Sequence, residues 1–246
     1  MVLRLYDAEV GEVTPVVPAQ PGQLRTYTAG TGEGERGAAG LRSYLLADLI
    51  RRVGEQHHLV VSAWHGGDGL GAEWEALNIH PLAAAPSPPE PLDIGIGAQP
   101  PGARARWLRS APVTADEVEA IANGSLTAAV NGRGHDPLAV RLMLLQEHYR
   151  QPVTLGWEQL AAADRELGEW RRHVAAWANS PSKPMAAQYA TGIRAAFDDD
   201  LDTLAALRAL TALAADAQIP AGAKFETFAY VDQLLGLDLA RDIGRF

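Results

Sequence analysis

Between Leu24 and Arg52 the chain runs L-R-T-Y-T, then A-G-T-G-E-G-E-R-G-A-A-G, then L-R-S-Y-L-L-A-D-L-I-R-R. Leu24 to Thr28 alternate β-forming residues and predict a short strand. Ala29 to Gly40 hold five glycines, more than a regular element tolerates, and predict a turn. From Leu41 the apolar residues fall at Leu41, Tyr44, Leu45, Leu49 and Val53, a helical period. Strand, glycine-rich turn and helix open a nucleotide-binding α/β unit, in which the turn presents backbone N–H groups to a phosphate at the helix N-terminus. A tight connection that binds nothing has the same appearance, and glycine spacing alone does not separate the two.

A second unit of the same kind follows. His58 to Trp64 (H-L-V-V-S-A-W) read as a buried strand, parallel to the first through the helix, and run into His65-Gly-Gly-Asp-Gly-Leu-Gly71. Ligands of open parallel sheets sit outside the carboxyl ends of the strands, so the two glycine-rich turns are expected to face one crevice. Val2 to Tyr6 read as a strand preceding both. Pro15, Pro18 and Pro21 predict an extended connection over Gly11 to Gln23. A short helix is expected at Ala72 to Asn78, a loop at Pro81 to Pro91, and a third strand at Leu92 to Ile96. Arg104, Arg106 and Arg109 flank Trp107 as a solvated helix face or, alternatively, a phosphate or carboxylate site. Thr114-Ala-Asp-Glu is a capping signature for a helix to about Ala122.

From residue 134 the pattern is helical. Asp136-Pro137 start a helix with Leu138, Arg141, Leu142 and Leu145 on its core face. Trp157 to Ala178, Met185 to Phe197, Thr203 to Ala217 and Thr227 to Leu237 are further helices, with a break at Ser180 to Pro184. The expected organisation is a Rossmann-like parallel α/β domain over residues 1–110, a connecting helix and loop over 111–133, and an α-helical bundle over 134–246.

Composition narrows the chemistry. The 246 residues include no cysteine, which excludes disulfides and thiolate zinc sites. A net charge of -9 opposes nonspecific binding to nucleic acid. No apolar run approaches a membrane span and Met1 leads into a strand-like segment, so a cytoplasmic protein is expected, with no membrane partner.

Several motifs in order carry a resemblance. Gly134-H-D-P-L-A-V-R-L-M-L-L-Q-E-H-Y-R-Q-P-V-T-L-G-W-E resembles the helix pair after the catalytic domain of cysteinyl-tRNA synthetases, and of their relatives the mycothiol cysteine ligases, which join cysteine to glucosaminyl-inositol. The matches are Asp136-Pro137, Arg141, His148-Tyr149-Arg150 and Trp157. Phe197-Asp-Asp-Asp-Leu-Asp-Thr203 resembles the family's acidic helix junction, and Leu234 to Leu239 the ligases' C-terminal end. Leu3 to Asp7 resemble the first strand of the family, and Tyr27 to Arg52 its active-site crossover. The resemblance implies a class I synthetase fold, strong at both ends of the chain and weak in the middle.

Carried over residue by residue, the resemblance implies losses. The first zinc-binding cysteine falls on Ala29, and the signature with two histidines falls on Gly37-Ala38-Ala39-Gly40. The acidic turn after the second strand keeps Asp68. The ribose-binding glycine loop falls on Asp93 to Gly97, with Ile96 in place of one glycine. The lysine loop that clamps pyrophosphate falls on Asp116 to Ala120 when counted back without gaps. The expectation is a truncated, degenerate homologue: a non-catalytic binding or regulatory module without catalytic residues, metal or cofactor, acting on an unknown protein partner or small molecule. The alternative is an ATP-dependent ligase of the mycothiol type with a remodelled site, in which Arg36 or Arg42 replaces the missing cations. Residues expected to touch any nucleotide are Gly30, Thr31, Arg36, Gly37, Gly40, His65 and Asp68 on the two turns and, through the resemblance, Gly95 and Gly97. Binding of tRNA is not expected, because the chain stops at Phe246 before an anticodon-binding extension and is acidic.

Of the histidines, His57, His58 and His80 read as surface residues, His65 as the candidate for a real contact, and His148 with Tyr149 as packed against the sheet. Asp198, Asp199, Asp200 and Asp202 are expected to cap the following helix. Trp64, Trp74 and Trp107 are core residues by default, with crevice lining as the alternative.

Overall fold

The structure is a computed structural model that describes residues 2–29, 38–67, 69–71, 73–99, 104–114 and 125–245. A five-stranded parallel sheet lies in the N-terminal half, with strand order β5-β4-β3-β6-β7. These strands are β3 (Gln23–Thr28), β4 (Val60–His65), β5 (Ala83–Ala84), β6 (Ile94–Ile96) and β7 (Arg106–Leu108). The strand–turn–helix reading holds at its two described ends: β3 leads to helix α1 (Ala38–Gln56), and α1 returns to β4 in parallel register with Leu24 opposite Val61.

The sheet differs from expectation in four places. The first strand, β1 (Arg4–Asp7), does not join it but pairs antiparallel with β2 (Glu12–Pro15), where an extended connection was expected. Pro15 closes β2 at its last position, where a missing N–H interrupts no ladder. Strand β4 is only half buried, because β5 covers just Trp64 and His65 of it and Val60 is 68% exposed. The loop expected at Pro81 to Pro91 contributes that short edge strand. The arginine-flanked segment is not a helix face but β7, with Trp107 opposite Gly95. Thr114 ends a strand, β8 (Val113–Thr114), and the helix it was expected to start lies outside the described residues.

Helix α1 is buried from Gly40 to Ile50, and its last turns reach the surface at Arg51, Glu55 and Gln56. Leu24 and Val61 pack at Gly54 on its sheet-facing side, and Leu41, Tyr44, Leu45, Leu49, Ile50 and Val53 are all buried. The helical half closes over the rest of it. After the one-turn α2 (Glu73–Ala76), which lies within the short helix expected at Ala72 to Asn78, that half contains α3 (Leu126–Gly132), α4 (Leu138–Leu145), α5 (Trp157–Trp177), α6 (Ala187–Asp198), α7 (Thr203–Ala215) and α8 (Ala221–Leu235). Helix α8 starts six residues before the expected Thr227, directly after the Pro220 cap, and ends at Gly236 in the left-handed region. A two-residue parallel pairing of β8 with β9 (Val153–Thr154) joins the halves. The buried apolar side chains form one continuous cluster from Leu3 through the sheet and α1 to Leu239.

The hairpin is held to both halves by charge. Arg106 donates to the Leu5, Thr14 and Pro15 carbonyls and to Thr14 Oγ1, and lies 3.6 Å from Asp7. Its partner segment is the acidic junction, which does more than cap a helix. Asp202 caps α7 through the Ala205 N–H, as expected. Asp198 pairs with His57, Asp199 with Arg4, and Asp200 accepts from the Tyr6 N–H and the Tyr149 hydroxyl while pairing with Arg150 at 2.8 Å. Among the described residues no helix is long and apolar enough to cross a membrane.

Candidate functional site

The chain leaves β3 for β4 on one side and later returns to β6 on the other, so the point where strand order reverses lies between β3 and β6. A sheet of this type places its crevice there, at the carboxyl ends. The Ala29 N–H donates to the Ile96 carbonyl at 2.8 Å, and the Gly66 N–H donates to the Thr28 carbonyl at 2.9 Å. The ends of β4, β3 and β6 therefore stand side by side with β3 in the middle. The turns after β3 and β4 thus end on the same side of the sheet, and the end of β6 joins them from the other flank of β3.

Of the residues expected to touch a nucleotide, Gly30, Thr31, Arg36, Gly37 and Asp68 lie outside the described residues. Gly40 lies in the first turn of α1 and is buried. Gly97 follows β6 with a φ of +100°, a conformation that favours glycine, and a Cβ there would approach the Ala29 methyl to 3.3 Å. His65 is 7% exposed. Its ring lies edge-on to Tyr44 and tilted to Trp74, both at 6.0 Å between centroids, and Nδ1 is 3.2 Å from the Gly66 carbonyl oxygen. Gly69 folds over the imidazole: a Cβ on it would meet Cε1 at 3.0 Å. Gly40, His65 and Gly97 thus gather at one end of the sheet, with His65 packed in an aromatic cluster.

Gly95 has a different setting. A Cβ built on it would fall inside the indole of Trp107, directly opposite on β7. The missing side chain makes room for tryptophan, and the sequence signal was the pairing of a glycine in one strand with an aromatic in the next. Asp93, just before β6, accepts from the Ala19 and Arg25 N–H groups at 2.7 Å each and so fixes the loop rather than facing a ligand.

Arg42, proposed as a replacement cation, is committed elsewhere. Its guanidinium donates to the Ala111, Glu147, His148 and Gln151 carbonyls, and it is 2% exposed. Burial lowers its pKa to about 10, with Glu147 opposing the shift. Arg104 and Arg109 lie before and after β7, so with Arg106 holding the hairpin the three arginines do not form one anion site. Among the described residues no three His, Asp or Glu side chains converge as a metal site.

A buried ionic knot escaped the sequence reading. Asp48 of α1 accepts from Arg52 at 2.7 Å, from Arg141 of α4 at 2.6 Å and from both the backbone and the ring of His80. Arg141 also donates to the Leu77, Asn78 and Leu235 carbonyls, and Arg52 to those of Asn78 and Gln233. Gly236 leaves room for both guanidinium groups. Burial would raise the Asp48 pKa, but Arg141, His80 and Arg52 together hold it well below the usual carboxylate range. The available signal was an arginine inside the apolar run L-A-V-R-L-M-L-L. His80 keeps 39% of its side chain exposed while also partnering Asp48, and His57, expected at the surface, pairs with Asp198 at 2.5 Å.

No protein-family profile matches the chain. Several proteins similar to it are ligases. One from Geodermatophilus obscurus, described as L-cysteine:1D-myo-inositol 2-amino-2-deoxy-alpha-D-glucopyranoside ligase, is 35% identical over 58% of this chain and 35% of its own length. Proteins of the same description from Nakamurella multipartita and Mycolicibacterium smegmatis are 39% and 36% identical over 44% and 46% of the chain, and over 24% and 28% of their own lengths. Over roughly half of its length the chain is thus a homologue of the L-cysteine:1D-myo-inositol 2-amino-2-deoxy-alpha-D-glucopyranoside ligases, matching about a third or less of each relative.

Proposed function

We propose that this chain is a non-catalytic, cytoplasmic binding or regulatory module on the ligase scaffold, associated with mycothiol biosynthesis. The observation that carries the reading is at the carboxyl end of β3. There a methyl group, Ala29, stands against Gly97 where the resembled enzymes carry a zinc-binding cysteine. A methyl cannot ligate zinc, and zinc is what selects the thiol substrate in those enzymes. Two further observations support it. The space over Gly95, expected to approach a ribose, holds the Trp107 indole. Arg42, a candidate to stabilise a leaving pyrophosphate, spends its donors on four carbonyl groups of the protein itself. Charge stabilisation of that kind is usually the largest catalytic contribution. The module acts through a protein partner or a small molecule, without ATP or tRNA. The test is ATP–pyrophosphate exchange with each amino acid in turn. No exchange above a protein-free control is expected; exchange with any amino acid favours the remodelled ligase instead.

A further inference from the structure

Two hinges flank the one-turn helix α2. On its amino side Gly67, Gly69 and Gly71 have φ values of +71°, +68° and +55°, the left-handed region where glycine carries no steric penalty. Gly71 has open space where a Cβ would stand. On its carboxyl side Asn78 turns the chain with a φ of +51°. Asn78 is anchored: its carbonyl accepts from Arg52 at 2.8 Å and from Arg141 at 3.0 Å, and its side chain donates to the Gly236 carbonyl. Leu77 and Ile79 beside it are 2% and 3% exposed. That end is therefore fixed to the ionic knot, whereas α2 itself contains no buried residue.

Between the hinges, α2 covers polar groups at the carboxyl ends of β3 and β4. Trp74 lies edge-on to Tyr44 at 5.0 Å and, with Gly69, closes over His65. Thr28 is the register partner of His65 on β3, and its hydroxyl is buried with no hydrogen-bond partner among the described residues. The closed position is held weakly and is opposed by one effect. Glu73 accepts from the Thr127 N–H of α3 through one carboxylate oxygen at 3.3 Å. Its other oxygen is buried and has no hydrogen-bond partner among the described residues. A buried carboxylate oxygen loses its hydration and regains it when the segment swings out. Elements with few buried side chains are the ones that open locally. We infer that α2 is a lid, swinging on the glycines and on Asn78, whose opening uncovers His65 and Thr28 to the crevice. The inference does not depend on what the crevice binds.

The test is carbethoxylation of His65 in the full chain by diethyl pyrocarbonate, followed by peptide mass spectrometry with exposed His58 as the reference. Local opening exposes little surface, so the His65 rate is expected to stay level up to about 1 M urea, below the unfolding transition. Gly71→Ala strains the closed lid without a steric clash and is expected to raise the rate at least about fivefold, whereas Gly71→Asn, which tolerates the left-handed conformation, stays within about twofold of the wild type. Glu73→Gln buries a neutral amide in place of the carboxylate and is expected to lower the rate. No reaction without urea, or a rate that climbs with urea in step with global unfolding, would mean that His65 is reached only in the unfolded chain and would overturn the proposal. So would a Gly71→Ala rate no higher than that of Gly71→Asn, or a faster rate in Glu73→Gln.

Discussion

Arg141 Nη2 lies 2.6 Å from Asp48 Oδ2, and neither side chain reaches solvent. The two residues belong to helices in different halves of the chain, and their contact sits where α1 meets α4 and the end of α8. Removing one partner of such a pair strands a charge in the interior. Asp48→Ala and Arg141→Met are each expected to destabilise by about 3–5 kcal/mol. The double variant is expected to cost less than the sum, because Asp48 and Arg141 no longer strand each other and only Arg52 loses its carboxylate. Urea unfolding of the four proteins at neutral pH measures both.

The same carboxylate predicts an acid limb in the stability curve. Its folded pKa is depressed, so its contribution is present above the unfolded carboxylate pKa and is lost as pH falls toward the folded value. The loss therefore begins below about pH 4. Asp136, also depressed despite its burial because Arg171 and the Leu138 N–H hold its charged form, adds in the same direction. Asp232, whose pKa is raised by burial, acts oppositely. Asp48→Asn is expected to flatten the acid limb of the urea midpoint against pH.

Gly95→Ala is expected to destabilise by about 1–3 kcal/mol, since the added methyl overlaps the Trp107 ring. Combining it with Trp107→Ala is expected to give a cost below the sum of the two, because the truncated ring makes room. Thermal unfolding of the single and double variants reads the coupling.

Arg42→Lys is expected to cost at least about 2 kcal/mol although charge is kept. One ammonium cannot reach four carbonyls spread over Ala111, Glu147, His148 and Gln151, and a buried carbonyl without a donor is penalised. The midpoint of urea unfolding measures it.

Because one buried cluster runs from the hairpin to the C-terminal helix, a single calorimetric transition is expected. Two separated transitions would mean that the sheet and the bundle fold independently.

Much of the fold was legible because it is written in local periods. Alternation marked β3 and β4, and the 3.6-residue spacing marked α1, α4 and α5 to within a few residues. The placing of Gly40 and His65 at one end of the sheet also followed from strand direction, whereas Gly97 came in through the resemblance. Tertiary structure alone decided that β1 leaves the sheet for a hairpin, that Arg106 fastens that hairpin, and that Trp107 occupies the space over Gly95. It also decided that Arg42, Ser43, Asp48 and Arg52 of α1 are interior, with Asp48 meeting a partner 93 positions away. The physical reason is range. A local pattern records which face of an element is apolar, whereas the partner of a buried charge, or the filler of a glycine's empty side, is set by which distant segments dock together.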